Sequence, residues 1–283
     1  MRVARFDDNR LGLVRGDEVL DVSEALDVLP HHRWPLPYGD PLINHFSTVL
    51  ERIKTIAPRA QAHKLDDIKL LSPVANPSKI IAAPVNYLEH VAEARADVGI
   101  NFGADIKTID HYGLFLKSNT SVIGASEPIV VPDIGRRVDH EIEVAVVIGR
   151  TCKAVSEPDA LSMVCGYTMG IDMSIRGSED RSWRKSYDTF SVIGPWLVTA
   201  DEIIDSSALN LEIAVNGERR QHSNTRRLIF SIPKLIAYSS AAYQLYPGDI
   251  IMTGTPEGVG PVASGDQLTC RIDSIGTMVV SVR

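Results

Sequence analysis

Short apolar segments separated by turn residues recur along most of this 283-residue chain. From residue 79 onward these segments are rich in β-branched residues and are bounded by glycine and proline, a pattern typical of strands. The strand candidates are residues 79–83, 114–116, 129–131, 141–148, 196–198, 211–215, 250–253, 268–272 and 278–282. Because helical patterns are few, the sequence predicts a β-rich α+β fold instead of a doubly wound sheet.

Helical spacing of apolar residues is limited to a few stretches. It occurs in residues 42–56, 158–165 and 232–245, and residues 87–95 are also helix-like.

The first 72 residues differ from the rest in their pattern of predicted strands, loops and helices. They combine short β-like runs with a loop rich in proline and the helical pattern of residues 42–56. The sequence therefore predicts a small N-terminal α/β domain over residues 1–72 and a larger domain over residues 73–283.

Charge and composition exclude several classes of protein. The 36 acidic residues outnumber the 29 basic ones, for a net charge of −7, which argues against nucleic-acid and anionic-membrane partners. No apolar run approaches the roughly 18 residues of a membrane span. Three scattered cysteines form no disulfide framework, and the first residues lack a signal core, so a cytoplasmic location is expected.

An acidic pair marks the strand candidate at residues 141–148. Residues two apart in a strand share a face and lie about 6.6 Å apart along the chain, so Glu141 and Glu143 point the same way. Converging carboxylates repel each other, and a hard divalent cation such as Mg²⁺, Mn²⁺ or Ca²⁺ relieves the repulsion. The alternative is a solvated face, which the pair alone would favour.

Four other residues have side chains and positions that suit metal binding, acid–base catalysis or anion binding. Asp172, among apolar residues, is a candidate third ligand or simply a helix cap. His90 and Glu93 are neighbours on one helical face, as a general base and its orienting carboxylate would be, or as any surface pair is. Lys185 suits an anion but is equally consistent with a solvated lysine.

These segments together, in this order, resemble the fumarylacetoacetate hydrolase family over nearly all of residues 79–283. The matching motifs are N-Y-x-x-H-x-x-E, L-F-L-K, D-H-E-I-E-V-A-V-V-I-G, G-Y-T-M-G-I-D-M-S, K-S-Y-D-T-F, V-N-G-E-R-R-Q and P-G-D-I-I-M-T-G-T-P-E-G-V-G. The resemblance implies the family's mixed β-roll, a homodimer, and a catalytic domain at residues 73–283.

The resemblance also implies roles for individual residues. Metal ligation would fall to Glu141, Glu143 and Asp172, which would hold Mg²⁺ or Mn²⁺, with Ca²⁺ only as a non-native occupant. In a mobile lid, His90 would be the base and Glu93 its orienter.

Further residues are predicted to act on or bind the substrate. Lys185 is assigned to the catalytic group, and the predicted substrate contacts are Lys117, Arg176, Thr255 and Tyr87. The segment of residues 97–112, longer than in the shortest members, borders the expected cavity.

The predicted function is metal-dependent hydrolysis of a carbon–carbon bond in an acylpyruvate-type 2,4-dioxo acid, through a metal-stabilised enolate. The partner would be a small anionic 2-oxo acid. An oxaloacetate-type decarboxylase or a hydroxymuconate-type isomerase is the nearest alternative, because the same enolate chemistry serves both. A catalytically silent binding protein is a third hypothesis, disfavoured because no predicted ligand, base or lysine is missing.

Overall fold

The computed structural model describes all 283 residues, which form 19 strands and seven α-helices. The strands are β1 Arg2–Phe6, β2 Arg10–Arg15, β3 Glu18–Asp21, β4 Ala62–Lys64, β5 Leu70–Leu71, β6 Ile80–Ala82, β7 Phe115–Lys117, β8 Val122–Ile123, β9 Val138–His140, β10 Ile142–Ile148, β11 Val164–Asp172, β12 Ser174–Ile175, β13 Ser191–Thr199, β14 Asn210–Val215, β15 Glu218–Asn224, β16 Ile250–Met252, β17 Gly260–Pro261, β18 Gln267–Ile272 and β19 Gly276–Ser281. The helices are α1 Pro41–Asn44, α2 Phe46–Ile56, α3 Leu88–Ala96, α4 Val98–Asn101, α5 Ile109–Tyr112, α6 Arg181–Arg184 and α7 Ile232–Ala242. The predicted β-rich α+β class is confirmed, and no helix is long and apolar enough to cross a membrane.

A 12-stranded sheet forms the body of the molecule. Its strands run in the order β4-β3-β2-β1-β13-β11-β10-β16-β6-β7, with β5 beside β1 and β8 beside β13. Every residue of β10 and β13 is buried, because both faces of these strands are covered, and their sequences are accordingly almost continuous in apolar residues. Two smaller sheets, β12-β9-β17 and β15-β14-β18-β19, complete the fold.

The N-terminal residues join the main sheet directly. Strand β1 pairs antiparallel with β13, with Val3 opposite Leu197. One of the two apolar clusters contains Val3 and Val49 together with Ala145 of β10. The N-terminal segment therefore shares a sheet and a core with the rest of the chain, and the division at residue 72 stays a prediction.

Some predicted elements differ from the structure. In place of a helix over residues 158–165 there is a 3₁₀ turn at Ala160–Met163, followed by β11. Strand pairing determines the structure here, because β11 begins at Val164 and hydrogen-bonds with β10 on one side and β13 on the other. Residues 129–131 form no strand, only an isolated bridge between Ile129 and Val282.

Candidate active site

The pairing of β10 with β11 brings three carboxylates together. Glu143 lies in β10, Glu141 precedes it, and Asp172 ends β11, where its backbone N–H donates to the Glu141 carbonyl at 2.8 Å. One oxygen from each side chain lies within 4.8 Å of the others, and all three residues are buried. The solvated-face and helix-cap alternatives therefore do not hold for these residues.

Basic side chains balance two of the three carboxylates. The Lys185 Nζ atom lies 2.7 Å from both Glu141 Oε2 and Asp172 Oδ2. Lys117 Nζ donates to Asp172 Oδ1 at 2.5 Å. Arg176 Nη2 lies 2.8 Å from Glu141 Oε1, although its N–H does not point at that oxygen.

Glu143 has no basic partner. Its Oε2 atom accepts a hydrogen bond from the Gly254 backbone N–H at 2.6 Å. Burial, together with the charges of Asp172 and Glu141, raises the pKa of Glu143 well above its ordinary value. Burial alone would also raise the pKa of Glu141, but Lys185 and Arg176 outweigh it and lower that pKa.

This donor set fits a divalent cation. Three buried carboxylates with converging oxygens are hard ligands, and one of them is left without a positive partner. A cation held by Glu141, Glu143 and Asp172 would supply the positive charge that Glu143 lacks.

Helix α3 places the predicted base beside the carboxylates. The His90 Nδ1 atom lies 2.8 Å from Glu93 Oε2, and the second Glu93 oxygen accepts from the Gly258 backbone N–H at 2.8 Å. Because a carboxylate faces Nδ1, the neutral imidazole carries its proton there and leaves Nε2 free to accept one. His90, Glu141 and Asp172 line the same cavity.

The cavity combines an apolar wall with a basic one. The apolar side chains include those of Ala94, Ile100, Ile106 and Phe115. The basic side chains are those of Arg176, Arg181, Arg184 and Lys185. Such a cavity suits a small ligand that has an apolar middle and more than one anionic group.

The other predicted substrate contacts fall in different places. Thr255 lines the cavity together with Arg176 and Lys185. Lys117 has a fully buried side chain and contacts Asp172 and the carbonyls of Lys185 and Phe190 from behind the cluster. Tyr87 is fully buried and is not part of the cavity wall, so its role as a substrate contact stays a prediction.

Sequence reasoning missed Gln221, which ties the site together. Its Nε2 atom donates to Thr255 Oγ1 at 2.8 Å, and its Oε1 atom accepts from the Ile142 backbone N–H at 3.1 Å. Gln221 is fully buried, and it holds the loop that carries Thr255 against the strand that carries the acidic pair. The signal was the glutamine within V-N-G-E-R-R-Q, which was given no role.

Comparisons with known proteins agree with this geometry. Residues 79–283 match the family model described as fumarylacetoacetate (FAA) hydrolase C-terminal. A maleylpyruvate hydrolase of Aquipseudomonas alcaligenes is 51% identical over 285 aligned residues, covering 100% of this chain and 99% of the relative. A mitochondrial oxaloacetate tautomerase of Xenopus laevis is 34% identical, covering 98% of this chain and 89% of the relative.

A solved structure is also similar along the whole chain. It is a maleylpyruvate hydrolase from Sphingobium sp. SYK-6 in complex with manganese(II) ion and pyruvate. The two chains are 42% identical with a TM-score of 0.85, and the match covers 100% of this chain and 98% of the other.

Proposed function

The chain belongs to the fumarylacetoacetate hydrolase family and is an enzyme, and from this premise we propose that it hydrolyses a carbon–carbon bond in an acylpyruvate-type 2,4-dioxo acid. The observation that carries the proposal is that His90, which pairs with Glu93, lines one cavity with Glu141 and Asp172, two members of the buried carboxylate cluster that Glu143 completes. The similarity to maleylpyruvate hydrolases along the full chain supports the same reaction class.

We assign Mn²⁺ or Mg²⁺ to the three carboxylates. The manganese ion and pyruvate bound in the Sphingobium relative support a cation and a 2-oxo acid in one site. When bound, a divalent cation supplies Lewis acidity to the carboxylate and 2-oxo oxygens of the substrate. Lys185 and Arg176 line the same wall and would position the anionic 2-oxo acid end of the substrate beside the cation.

His90 is positioned to activate water. Its Nε2 atom would take a proton from water while Glu93 stabilises the charge that develops on the ring. The water oxygen would bond to the 4-carbonyl carbon, the C3–C4 bond would break, and its electron pair would pass to the pyruvyl fragment as an enolate. Proton return to C3 yields pyruvate, and the acyl group leaves as a carboxylic acid.

Thr255 can donate a hydrogen bond to the substrate, because Gln221 orients its hydroxyl group. Its Oγ1 atom accepts from Gln221, so its own hydroxyl proton is free to donate to a substrate oxygen. Helix α3 contributes His90 and Ala94 to the cavity wall, and as a lid it would restrict access of bulk water to the enolate.

A substrate panel with product identification tests this proposal. Acylpyruvates, oxaloacetate and unsaturated hydroxy diacids would each be incubated with the protein and Mn²⁺, Mg²⁺ or a chelator. We expect equal amounts of pyruvate and a carboxylic acid from acylpyruvates, and no turnover with the chelator. Turnover of oxaloacetate alone would contradict the proposal.

Tautomerisation, isomerisation or decarboxylation of a 2-oxo diacid is the second candidate function. The 34% identity to an oxaloacetate tautomerase favours it, since the same cavity would serve an enolate that is never attacked by water. Product identification separates the candidates, because only hydrolysis yields two acids. The complete set of acidic ligands, base and lysine weighs against a catalytically silent binding protein.

Two further proposals concern the oligomeric state and the cellular location of the protein. We propose a homodimer, which the family resemblance supports, and a cytoplasmic location, which the three free cysteines support. Light scattering after size-exclusion chromatography tests the first, and cell fractionation tests the second.

A further inference from the structure

We propose that Arg181 and Arg184 form a second anion subsite in the active-site cavity, which binds a carboxylate at the acyl end of the substrate. The inference rests on the proposed function and narrows it to 2,4-dioxo diacids. The acid released from the acyl end would then be a dicarboxylate.

Helix α6 presents both arginines to the cavity. Asp180 caps this short helix by accepting from the Ser182 backbone N–H. Arg181 and Arg184 are three residues apart, so they lie on one helical face, and both line the cavity together with Glu141 and Asp172. Trp183, between them, is exposed instead.

Neither arginine has an acidic partner in the protein, which sets the pair apart from its neighbours. Arg176 pairs with Asp139 and Glu141, and Arg136 pairs with Glu179. Arg184 donates only to backbone carbonyls, those of Glu179 at 3.2 Å and Ile175 at 3.3 Å, which leaves its Nη2 atom without a protein acceptor.

No ion pair neutralises the charge of Arg184. Burial, and then repulsion from Arg176 and Arg181, lowers the pKa of Arg184 and outweighs the opposing attraction of the more distant Glu141 and Asp172. A carboxylate placed between Arg181 and Arg184 would offset this repulsion, and the planar guanidinium fork matches a carboxylate in a two-point contact.

Residues of the long segment 97–112 hold Arg181 and complete the wall. The Arg181 guanidinium lies 4.2 Å from the ring centre of Tyr112, a cation–π contact that fixes its position. The Tyr112 hydroxyl accepts from the Lys107 backbone N–H at 3.1 Å. Ile100 and Ile106 of the same segment add an apolar surface, which suits the carbon chain between two charged ends.

A matched pair of substrates tests the subsite. The first is maleylpyruvate, a seven-carbon 2,4-dioxo diacid, and the second is 2,4-dioxohept-5-enoate, which has a methyl group in place of the distal carboxylate. We expect the parent protein to prefer the diacid. In Arg181→Gln/Arg184→Gln, kcat/KM for the diacid should fall by about 100-fold and that for the monoacid by less than about threefold. Arg150→Gln, which changes an exposed arginine outside the cavity wall, should leave both values unchanged.

A binding measurement decides the inference without turnover. Titration calorimetry with maleate should show affinity for the Mn²⁺-loaded parent and a loss of about 10- to 100-fold in Arg184→Gln, while pyruvate binds both proteins equally. Arg181→Gln provides a second variant at a half-buried side chain in case Arg184→Gln fails to fold. Arg184→Lys should recover part of the loss, because it restores the charge without the fork.

The outcomes separate this inference from the proposed function. If the parent hydrolyses both substrates equally, or the double variant keeps its preference for the diacid, the subsite is wrong and the hydrolase proposal stands. If the parent hydrolyses neither substrate, the hydrolase proposal fails, and the subsite is then overturned only if maleate binding is absent or unchanged in the variants.

Discussion

Glu143 carries the strongest residue-level argument for a bound cation. Lys185 bridges Glu141 and Asp172, whereas Glu143 is buried with one backbone N–H as its only donor. An unpaired buried carboxylate is costly, so this position favours either a proton or a metal ion.

Replacing Glu143 by the isosteric amide tests that argument. Glu143→Gln should abolish the rise in melting temperature on adding Mn²⁺ and reduce turnover by at least ~100-fold. In the absence of metal the variant should be as stable as the parent or more so, because the repelled charge is gone. Differential scanning calorimetry with and without Mn²⁺ measures both effects.

The control for this variant is Glu212→Gln, which changes a half-buried glutamate that is 3.7 Å from Arg271 and outside the cavity. It should respond to Mn²⁺ as the parent does. An undiminished Mn²⁺ shift in Glu143→Gln would remove this residue from the ligand set.

The His90–Glu93 pair predicts graded losses of activity. His90→Ala should lower kcat by ~100-fold or more, and Glu93→Gln by ~10-fold, since the amide weakens the base without removing it. Neither change removes a carboxylate of the cluster, so Mn²⁺ binding by calorimetry should persist in both variants. Full activity of His90→Ala would refute the assignment of the base.

At this scale, residue order predicted the proximity of the three carboxylates and of His90 to Glu93, but it did not predict that Arg181 and Arg184 line the same cavity. The strand periodicity around Glu141 and Glu143 fixes their common face, and the i,i+3 spacing fixes His90 beside Glu93. The position of Arg181 and Arg184 depends on how a short helix after β12 folds back over the cavity, which no local period encodes.

Among the elements, helix α3 is tied to the rest of the site through its C-terminal half. Glu93 reaches the Gly258 backbone, and Asp97, just after the helix, lies 2.9 Å from Arg137. Arg137 pairs with Asp139, Asp139 with Arg176, and Arg176 with Glu141. A continuous chain of ion pairs therefore links the end of helix α3 to the acidic cluster.

Breaking the ion pair between Asp97 and Arg137 should weaken substrate binding without damaging the acidic cluster. Asp97→Asn should raise KM by about two- to fivefold, the range expected for a partly exposed ion pair, and leave the Mn²⁺ affinity unchanged. Steady-state kinetics and calorimetry measure the two quantities. Asp105→Asn, an exposed change in the same segment, is the control, and an equal KM rise in both variants would contradict a specific role for Asp97.

The elements that the sequence predicted well are the long apolar strands. Strands β10 and β16 were expected within one or two residues of their observed bounds because both are apolar runs with turn residues at their ends. Residues 158–165 were predicted as a helix from the helical spacing of a few apolar residues, but so short a pattern is not decisive, and strand pairing determined the outcome.

At the scale of the whole molecule, the pairing of β1 with β13 makes the N-terminal residues part of the main sheet and of its stability. Strand β13 lies between β1 and β11, so removal of residues 1–72 would leave β13 with an unpaired edge and uncover part of a shared apolar cluster. The local pattern of strands, loops and helices led to the predicted domain boundary at residue 72, but long-range strand pairing could not be inferred from that pattern.

Deletion of residues 1–72 should therefore impair folding. We expect the 73–283 fragment to be largely insoluble, or to unfold at least ~10 °C below the full chain, by thermal denaturation. Residues 1–72 supplied as a separate chain should restore part of the soluble yield. A fragment as stable as the full chain would instead support an independent N-terminal domain.

The central claim is that this protein uses a carboxylate-bound divalent cation to add water across a carbon–carbon bond. The most direct test follows maleylpyruvate in H₂¹⁸O by mass spectrometry, with chelated and Mn²⁺-reconstituted protein, and corrects for exchange of carbonyl oxygens. We predict one additional solvent oxygen in the dicarboxylic acid, none in pyruvate, and no products from the chelated protein. Unlabelled products, release of CO₂, or equal turnover without metal would contradict the account.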